Sequence, residues 1–494
     1  MKAIARRALQ HLHGWTALVP VALIVCACTV GPDFHAPPPP TTQRYSHEET
    51  PSATVGASGA VGASQTFAPA AHAPRQWWKQ FESDDLDRLV ELAFRQSPTL
   101  DSARAKLVEA RENYAAEAGA TEWPKIDANL SATREKIDIA AFGITSFPPP
   151  SPFTLYNASV SVSYMLDLFG ANRRALEALR AQVDYEAYEL EAARLTLAGN
   201  IVAAAIRRAS LQRQIELTEA LAADEAQQLS VIESRYAAGG VPIVDVHSQR
   251  TLLAQTRATL PPLTTQLAQV DHQLAILLGV PPSDADGAAV TLDSLHLPET
   301  VPITLPSTLA RERPDIRAAL ALLHEASANV GVATANLYPK FSISAGAGSE
   351  RTRIADELDS LNIWNLGLNV TQPIFHGGEL RARKRSSEAA YEAALGDYRQ
   401  TVLLALGQVA DALQAVQDDA RTLHAREAAA REAEAANAIT REQYAAGGVS
   451  RSALLDAQRQ ALQTALDRAR AEGDRLADTA ALFQALGGGW TTEP

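Results

Sequence analysis

The sequence predicts a mainly helical chain, built twice, in which very long antiparallel helices are combined with four short amphipathic strands. Three observations predict this class. The phrase Arg235-Tyr-Ala-Ala-Gly-Gly-Val241 returns almost unchanged at residues 443–449, 208 positions later. Two segments of 68 residues, 171–238 and 379–446, contain no proline. Four further segments of about ten residues alternate between apolar and small polar side chains.

The amino terminus has the features of a targeting segment. Basic residues at positions 2, 6 and 7 precede an apolar run from Trp15 to Ala27, which is too short for a membrane-spanning helix. The run ends in Leu-Ile-Val-Cys-Ala-Cys28, which resembles a bacterial lipoprotein box. We therefore expect residues 1–27 to be a signal peptide and Cys28 to carry diacylglycerol and an N-acyl chain. The alternative is a plain secretory signal with two incidental cysteines.

The rest of the chain divides at the repeat. Residues 28–76 are rich in Pro, Ala, Ser, Thr and Gly and are expected to form a flexible tether from the lipid, because they cannot bury enough apolar surface to fold alone. A spacing of about 210 residues indicates a duplicated half rather than a solenoid of short repeats. The first repeat is expected at 77–280 and the second at 311–490. The proline-rich linker 281–310 is expected to form a non-helical belt partway along the helices.

Each repeat carries two candidate strands, joined by a loop. The four segments are 126–136, 154–164, 341–348 and 364–370, and the expected loops are 137–153 and 350–359. Their alternation suits a membrane barrel with lipid outside and water inside, but a hairpin on a soluble core has the same pattern. If the strands cross a membrane, four cannot close a barrel. Because lipid does not tolerate an open sheet edge, several chains would have to combine their strands.

Each proline-free segment would form a helix about 100 Å long, as in a coiled coil. Each repeat also offers two shorter helical segments whose combined length is about 87 Å. These are 99–122 with 245–278, and 315–337 with 452–486. We expect one long helix to lie beside two shorter ones, as a closed helical wall requires.

Several phrases add a family resemblance to this plan. They are the lipoprotein box, Gly31-Pro-Asp-Phe34, a Trp-Trp-x-x-Phe opening at Trp77, Arg311-Glu-Arg-Pro-Asp-Ile316, Gln372-Pro-Ile-Phe375 and Leu454-Leu-Asp-Ala-Gln-Arg459. In their order and spacing, over residues 23–490, they resemble the outer-membrane efflux channels of the TolC type, in particular the lipoprotein branch that serves drug-efflux pumps.

The resemblance implies a homotrimer, anchored by lipid in the outer membrane of a Gram-negative bacterium and extending into the periplasm. Each chain would give four strands to a shared twelve-stranded β-barrel and long helical hairpins to a periplasmic α-barrel. A periplasmic adaptor protein and an inner-membrane pump would be the partners. The function implied is a passive exit duct for small molecules and drugs.

In such channels the Tyr-x-x-Gly turns lie at the periplasmic tip, where the tunnel narrows and the adaptor docks. The matching residues here are Tyr236, Gly239, Gly240, Val241, Tyr444, Gly447, Gly448 and Val449. Glycine also suits a tight turn between helices because it accepts positive φ. The turn and docking interpretations are compatible.

Similar channels carry acidic residues at the closed end. Asp456 matches that position, and Asp245, nine residues after Tyr236, is the candidate in the first repeat. Three symmetric aspartates would form a ring that favours cations, and a basic neighbour such as Arg451 would hold it closed. The alternative is an ordinary solvated carboxylate on a helix face.

Other classes of function find no support in the sequence. The formal charge of −13 argues against nucleic acid, whose binding needs clustered Lys and Arg. His324-Glu325 lacks the second His of a zinc protease, and the sequence contains no phosphate-binding Walker loop and no other cofactor motif. We therefore expect no enzyme activity. A protein-secretion duct of the same fold and a lipid-tethered coiled-coil scaffold remain as alternatives.

Overall fold

The computed structural model describes residues 29–59, 61–136, 151–284, 290–354 and 357–488. The predicted signal peptide and Cys28 lie outside these ranges, as does most of the predicted loop 137–153. The chain forms two compact units. The sheet unit contains the chain up to Pro37, Leu107–Glu186 and Ala319–Tyr398. The helical unit contains Pro38–Lys106, Ala187–Ala318 and the chain from Arg399 onward.

Helices and strands follow the predicted order. The elements are β1 (Thr66–Pro69), a 3-10 turn (Trp77–Phe81), α1 (Asp84–Gln96), α2 (Pro98–Glu122), β2 (Lys125–Glu135), β3 (Phe153–Leu166), α3 (Ala171–Ala237), α4 (Ile243–Leu278), a second 3-10 turn (Leu292–Ser294), β4 (Thr300–Ile303), α5 (Pro306–Glu312), α6 (Pro314–Ala335), β5 (Lys340–Ile354), β6 (Glu357–Thr371), α7 (Glu379–Ala445) and α8 (Arg451–Ala485). The mainly helical fold class with an antiparallel sheet is confirmed.

The two long helices have the predicted lengths. Helices α3 and α7 each run for 67 residues, since neither contains a proline to stop it. In the helical unit each is followed by an antiparallel partner. Arg208 on α3 pairs with Asp271 on α4 at 2.7 Å. Arg426 on α7 pairs with Asp467 on α8 at 2.9 Å.

The sheet unit contains one four-stranded antiparallel sheet in the order β2-β3-β5-β6. Its strands are longer than the alternating segments alone predict. The polar segment 350–359, predicted as a loop, instead extends β5 to Ile354 and starts β6 at Glu357. That prediction was wrong because backbone pairing, for example Arg351 with Ser360, continues beyond the last apolar side chains.

The tether prediction also needs correction, because part of residues 28–76 is folded. Strand β1 pairs in parallel with β4 of the inter-repeat linker, and Phe67 enters a buried cluster with Val301, Leu309 and residues of α7 and α8. The composition argument held only for the segment in isolation. Its few apolar residues gain partners from distant parts of the chain, which offset the entropy of ordering it.

A buried arginine holds the same segment in the helical unit. The Arg475 guanidinium is fully buried and donates to the carbonyls of Val61 and Ala63, at 3.0 and 2.7 Å, and to Thr54 Oγ1 at 3.2 Å. Burial lowers the pKa of Arg475 to about 10, and the nearby Asp419 opposes that shift. A buried cation is tolerated where hydrogen bonds replace its water.

Asp419 on α7 lies in an acidic neighbourhood. Burial and the neighbouring carboxyls of Asp478 and Asp474 raise the pKa of Asp419 to about 7, although Arg475 partly offsets these effects. The folded chain therefore keeps a proton on Asp419 that the unfolded chain releases from about pH 4 upward. The contribution of this protonation to the free energy of unfolding is complete at acid pH, and it is lost as the pH rises toward and through about 7.

We expect Asp419→Asn to flatten the pH dependence of stability. At about pH 8 the variant should melt at a higher temperature than the wild type, and the difference should vanish near pH 4, because the amide needs no proton to stay neutral. The measurement is thermal unfolding of the detergent-solubilised protein across this range. Asp418→Asn, next along the chain but in a surface pair with Arg421, is the control. Equal pH profiles for wild type and Asp419→Asn would contradict the assignment.

Candidate functional site

The register of the sheet places most apolar residues of the four strands on one face. Partner positions across the sheet are both apolar in the rows Ile126–Val162, Val162–Ala345 and Ala345–Leu366. Leu130, Trp364, Leu366 and Leu368 on the edge strands are 67–86% exposed. A continuous exposed apolar face of this kind marks a surface that is covered by lipid or by protein.

The opposite face is mostly small and polar, although Leu361 and Ile363 of β6 also lie on it. It carries Asn129 on β2, Ser159 and Ser161 on β3, Gly346 and Gly348 on β5, and Asn365 on β6. Side chains of this size leave space beside the backbone and prefer water. The sheet therefore has the two faces of a wall that separates an apolar environment from an aqueous one.

Both edges of the sheet are open in the described part of the single chain. There, strands β2 and β6 each pair on one side only, with β3 and β5 respectively. Their outer N–H and C=O groups form a row of donors and acceptors ready to pair with another strand.

The two tips are built alike, as the repeated phrase predicts. After α3, the N–H of Gly239 donates to Tyr236 O at 2.9 Å and that of Gly240 to Arg235 O at 2.8 Å. After α7, Gly447 donates to Tyr444 O at 3.0 Å and Gly448 to Gln443 O at 2.8 Å. Gly239 and Gly447 have φ of +75° and +78°, a conformation that favours glycine. This pattern satisfies the last carbonyls of each helix and turns the chain.

The tips differ in the side chains that they present. In the first, Tyr236, Ile243 and Val244 are 46%, 45% and 59% exposed. In the second, the Arg451 guanidinium lies 5.8 Å from the centre of the Tyr444 ring and donates to Tyr444 Oη at 3.3 Å. The first tip therefore exposes its tyrosine and two apolar side chains, whereas the second carries a covered tyrosine. Val241 and Val449, next to the glycine pairs, are half-buried.

Arg451 also connects the two hairpins. Its Nη2 donates to Gln249 Oε1 on α4, and the Gln249 amide donates in turn to the carbonyl of Glu225 on α3 at 3.0 Å. We call the chain Tyr444–Arg451–Gln249–Glu225 the tip latch. Hydrogen bonds to a charged donor such as Arg451 are stronger than neutral ones.

The predicted gate residues are not brought together. Asp456 is 70% exposed and lies 3.5 Å from Arg459, three residues along the same helix. Asp245 is half-buried in the first turn of α4. Arg451 contacts Tyr444 and Gln249. We expected Arg451 to hold an aspartate of the gate, but in the single chain its contacts are to a tyrosine and a glutamine.

Sequence reasoning missed Gln249 and its neighbours. Gln249 is fully buried, and Thr256, two turns along α4, donates to the buried Glu225 carboxylate at 3.1 Å. Burial raises the pKa of Glu225, and the Thr256 hydrogen bond partly offsets this. The sequence does indicate that these two side chains are buried, because Gln249 and Thr256 continue the apolar stripe of Val246 and Leu252 at helical spacing.

Other site types are absent from the described chain. Within the described ranges no group of His, Cys, Asp or Glu side chains is placed to hold a metal ion. None of the described helices is long and apolar enough to cross a membrane.

Comparison with known proteins decides the family. The family described as outer membrane efflux protein matches residues 89–280 and 305–488, one long helix in each segment. The chain belongs to this family.

The relatives of this efflux protein cover nearly its whole length. The pyoverdine export outer membrane protein OpmQ of Pseudomonas putida is 30% identical over 96% of the chain and 97% of the relative. OpmQ of Pseudomonas aeruginosa is 34% identical over 85% of the chain and 88% of the relative. Among solved structures, the outer-membrane channel OprN is 28% identical, with a TM-score of 0.80 over 94% of this chain and 100% of that one.

These matches establish the cellular location and the role of the fold. This efflux protein has the TolC-like fold and lies in the outer membrane of a Gram-negative bacterium, extending into the periplasm. It provides the exit duct of an efflux pump. The family is one of channels rather than of enzymes.

The apolar face of the sheet can be tested with two adjacent residues of β6. Leu366→Arg should strongly reduce the yield of heat-modifiable oligomer in the outer membrane, because an arginine facing lipid costs about 2–4 kcal/mol near the bilayer middle. Asn365→Arg, on the polar face, should assemble normally. The measurement is gel mobility of unheated and heated outer-membrane fractions. Equal yields for the two variants would contradict the assigned faces.

Proposed function

We propose that three copies of this efflux protein form one duct, with a shared barrel of twelve strands. The single observation that carries the proposal is the four-stranded sheet with one apolar face, one small polar face and two unpaired edges. Pairing β6 of one copy with β2 of the next removes every edge. The number three follows the resemblance to TolC-type channels.

The duct exports small molecules, including drugs. Two relatives at 30% and 34% identity are named for pyoverdine export, which favours a small-molecule cargo over a protein-secretion duct. A lumen lined with Ser, Asn and Gly binds little specifically, so the partner pump selects the cargo. The chain has no phosphate-binding loop for ATP, and therefore the energy for export comes from that inner-membrane pump.

A periplasmic adaptor docks at the two glycine turns, Tyr236–Val241 and Tyr444–Ser450. Their exposed backbone and the apolar side chains of the first tip suit a protein partner. A lipid chain on Cys28 holds each copy in the outer membrane. The lipoprotein box of the sequence supports this attachment.

The gate lies at the same tips. The latch through Arg451 holds the two hairpins of one copy together, and opening requires its hydrogen bonds to break. Asp456, exposed on α8, supplies the acidic ring when three copies assemble, with Asp245 as the second candidate.

Single-channel recording in planar bilayers tests the gate. Arg451→Ala should raise the open fraction about ten-fold or more, because a charge-assisted hydrogen bond contributes about 1.5–3 kcal/mol to the closed form. Asp456→Asn should lower the preference for cations. Arg468→Ala, which removes a partly exposed pair with Glu472, is the control. A wild-type open fraction for Arg451→Ala would exclude the latch, and an unchanged reversal potential for Asp456→Asn would exclude that residue.

Drug susceptibility of a deletion strain tests the function itself. Loss of the gene should lower the inhibitory concentrations of several chemically unrelated drugs, and the wild-type gene should restore them. The gene with Leu366→Arg should fail to restore them, because its product cannot insert. Unchanged susceptibility together with loss of a secreted protein would favour the protein-secretion duct.

A further inference from the structure

The residues that follow the predicted lipid site are docked on the sheet unit. Val30 N donates to the carbonyl of Phe169, just after β3, at 3.1 Å. A Cβ placed on Gly170 would lie 2.5 Å from Thr29 Cγ2, so Thr29 lies directly against this turn. The chain next to Cys28 is thus held where β3 ends and α3 begins.

Two glycines allow the backbone of this segment to touch α6. Gly31 has φ of +99°, and a Cβ there would lie 2.5 Å from Cα of Gly331. A Cβ on Gly331 would in turn lie 2.8 Å from the Arg174 side chain. A side chain at position 31 would separate the segment from α6, and one at position 331 would displace Arg174.

Arg174 is the centre of the contact. Its side chain is only 6% exposed, and it donates to Asp33 Oδ1 at 2.6 Å and to Glu177 Oε2 at 2.7 Å. Glu177 also pairs with His324 Nε2 at 2.8 Å. Phe34 stacks on the His324 ring with a centroid distance of 4.4 Å and an angle of 14°. The segment is therefore tied to both α3 and α6.

The docked residues lie at an aromatic end of the sheet. Phe169 stacks on Tyr338, which precedes β5, at 4.7 Å. Leu166, at the end of β3, pairs with Phe341, at the start of β5, so Phe169 and Tyr338 lie at the same end of these two strands. Aromatic residues at strand ends are typical of the boundary between lipid and water.

We propose that residues 29–34 and their contacts form a rigid lipid seat, which fixes the acyl chains of Cys28 at the boundary end of β3 and holds the strands against the bilayer while copies assemble. The inference rests on the proposed lipid attachment. One peptide bond joins Cys28 to Thr29, so an acyl group there has no flexible tether between it and the fold. A single chain cannot bury its sheet edges in lipid, and the seat keeps it positioned until its neighbours arrive.

Two spacers of the same length test the seat in the full chain. A Gly/Ser spacer of about ten residues between Cys28 and Thr29 adds about 18 Å of flexible reach, more than half the hydrocarbon thickness. It should slow the formation of heat-modifiable oligomers about ten-fold, by lowering the effective concentration of strands at the membrane. The same spacer between Pro37 and Pro38, beyond the seat, should leave the rate unchanged.

Two point substitutions give an independent comparison. Asp33→Ala removes the exposed partner of Arg174 and should slow assembly in the same direction as the first spacer. Glu49→Ala removes a carboxylate of the same 82% exposure that pairs with Arg44 outside the seat, and should have no effect. Both exposed sites leave the core intact, so misfolding does not confuse the result.

Palmitate labelling accompanies every rate measurement and separates the two proposals. If the wild-type chain takes up no label at Cys28, lipid attachment fails and the seat fails with it. If all variants are labelled equally and the chain with the first spacer assembles at the wild-type rate, the seat alone is wrong. Slow assembly of labelled chains carrying the first spacer or Asp33→Ala, with both controls normal, supports it.

Discussion

The unpaired backbone groups of β2 and β6 are the constraint on which the rest of the molecule depends. In water an open sheet edge is hydrated, but in hydrocarbon each unsatisfied N–H or C=O costs several kcal/mol. The four strands that the described residues give to the sheet cannot satisfy these groups by themselves. Assembly is therefore a condition of membrane insertion. The small polar residues of the inner face follow from the same geometry, since they must line whatever space the closed wall surrounds.

Much of this fold was predictable because its signals are local. The absence of proline over two long segments determines α3 and α7, whose observed ends lie within one residue of the predicted ones. Alternation identifies the four strands, and the glycines after Tyr236 and Tyr444 identify the turns by their positive φ. Each of these features depends on neighbouring residues in the sequence, which is why one sequence suffices.

The features that sequence reasoning missed depend on distant partners. Phe67 is an isolated apolar residue in a segment of low folding potential, and it is buried by side chains more than 200 positions away. The outer parts of β5 and β6 carry charged residues, so alternation stops while the hydrogen-bonded register continues. Gln249 lies on an apolar stripe, but nothing near it in the sequence indicates that Arg451 is its partner.

The duplicated halves have diverged at one position that matters at the tips. With the offset of 208 residues between the repeats, Arg451 corresponds to Ile243, so the helix that follows the turn begins with a cation only in the second hairpin. In a ring of three such chains, tips with exposed apolar side chains would alternate with tips in which a cation covers an aromatic ring. The side chains of this ring have three-fold rather than six-fold symmetry, although its backbone nearly repeats six times. Any protein that grips all six ends must therefore recognise two kinds of contact, even if it is itself a single repeated molecule.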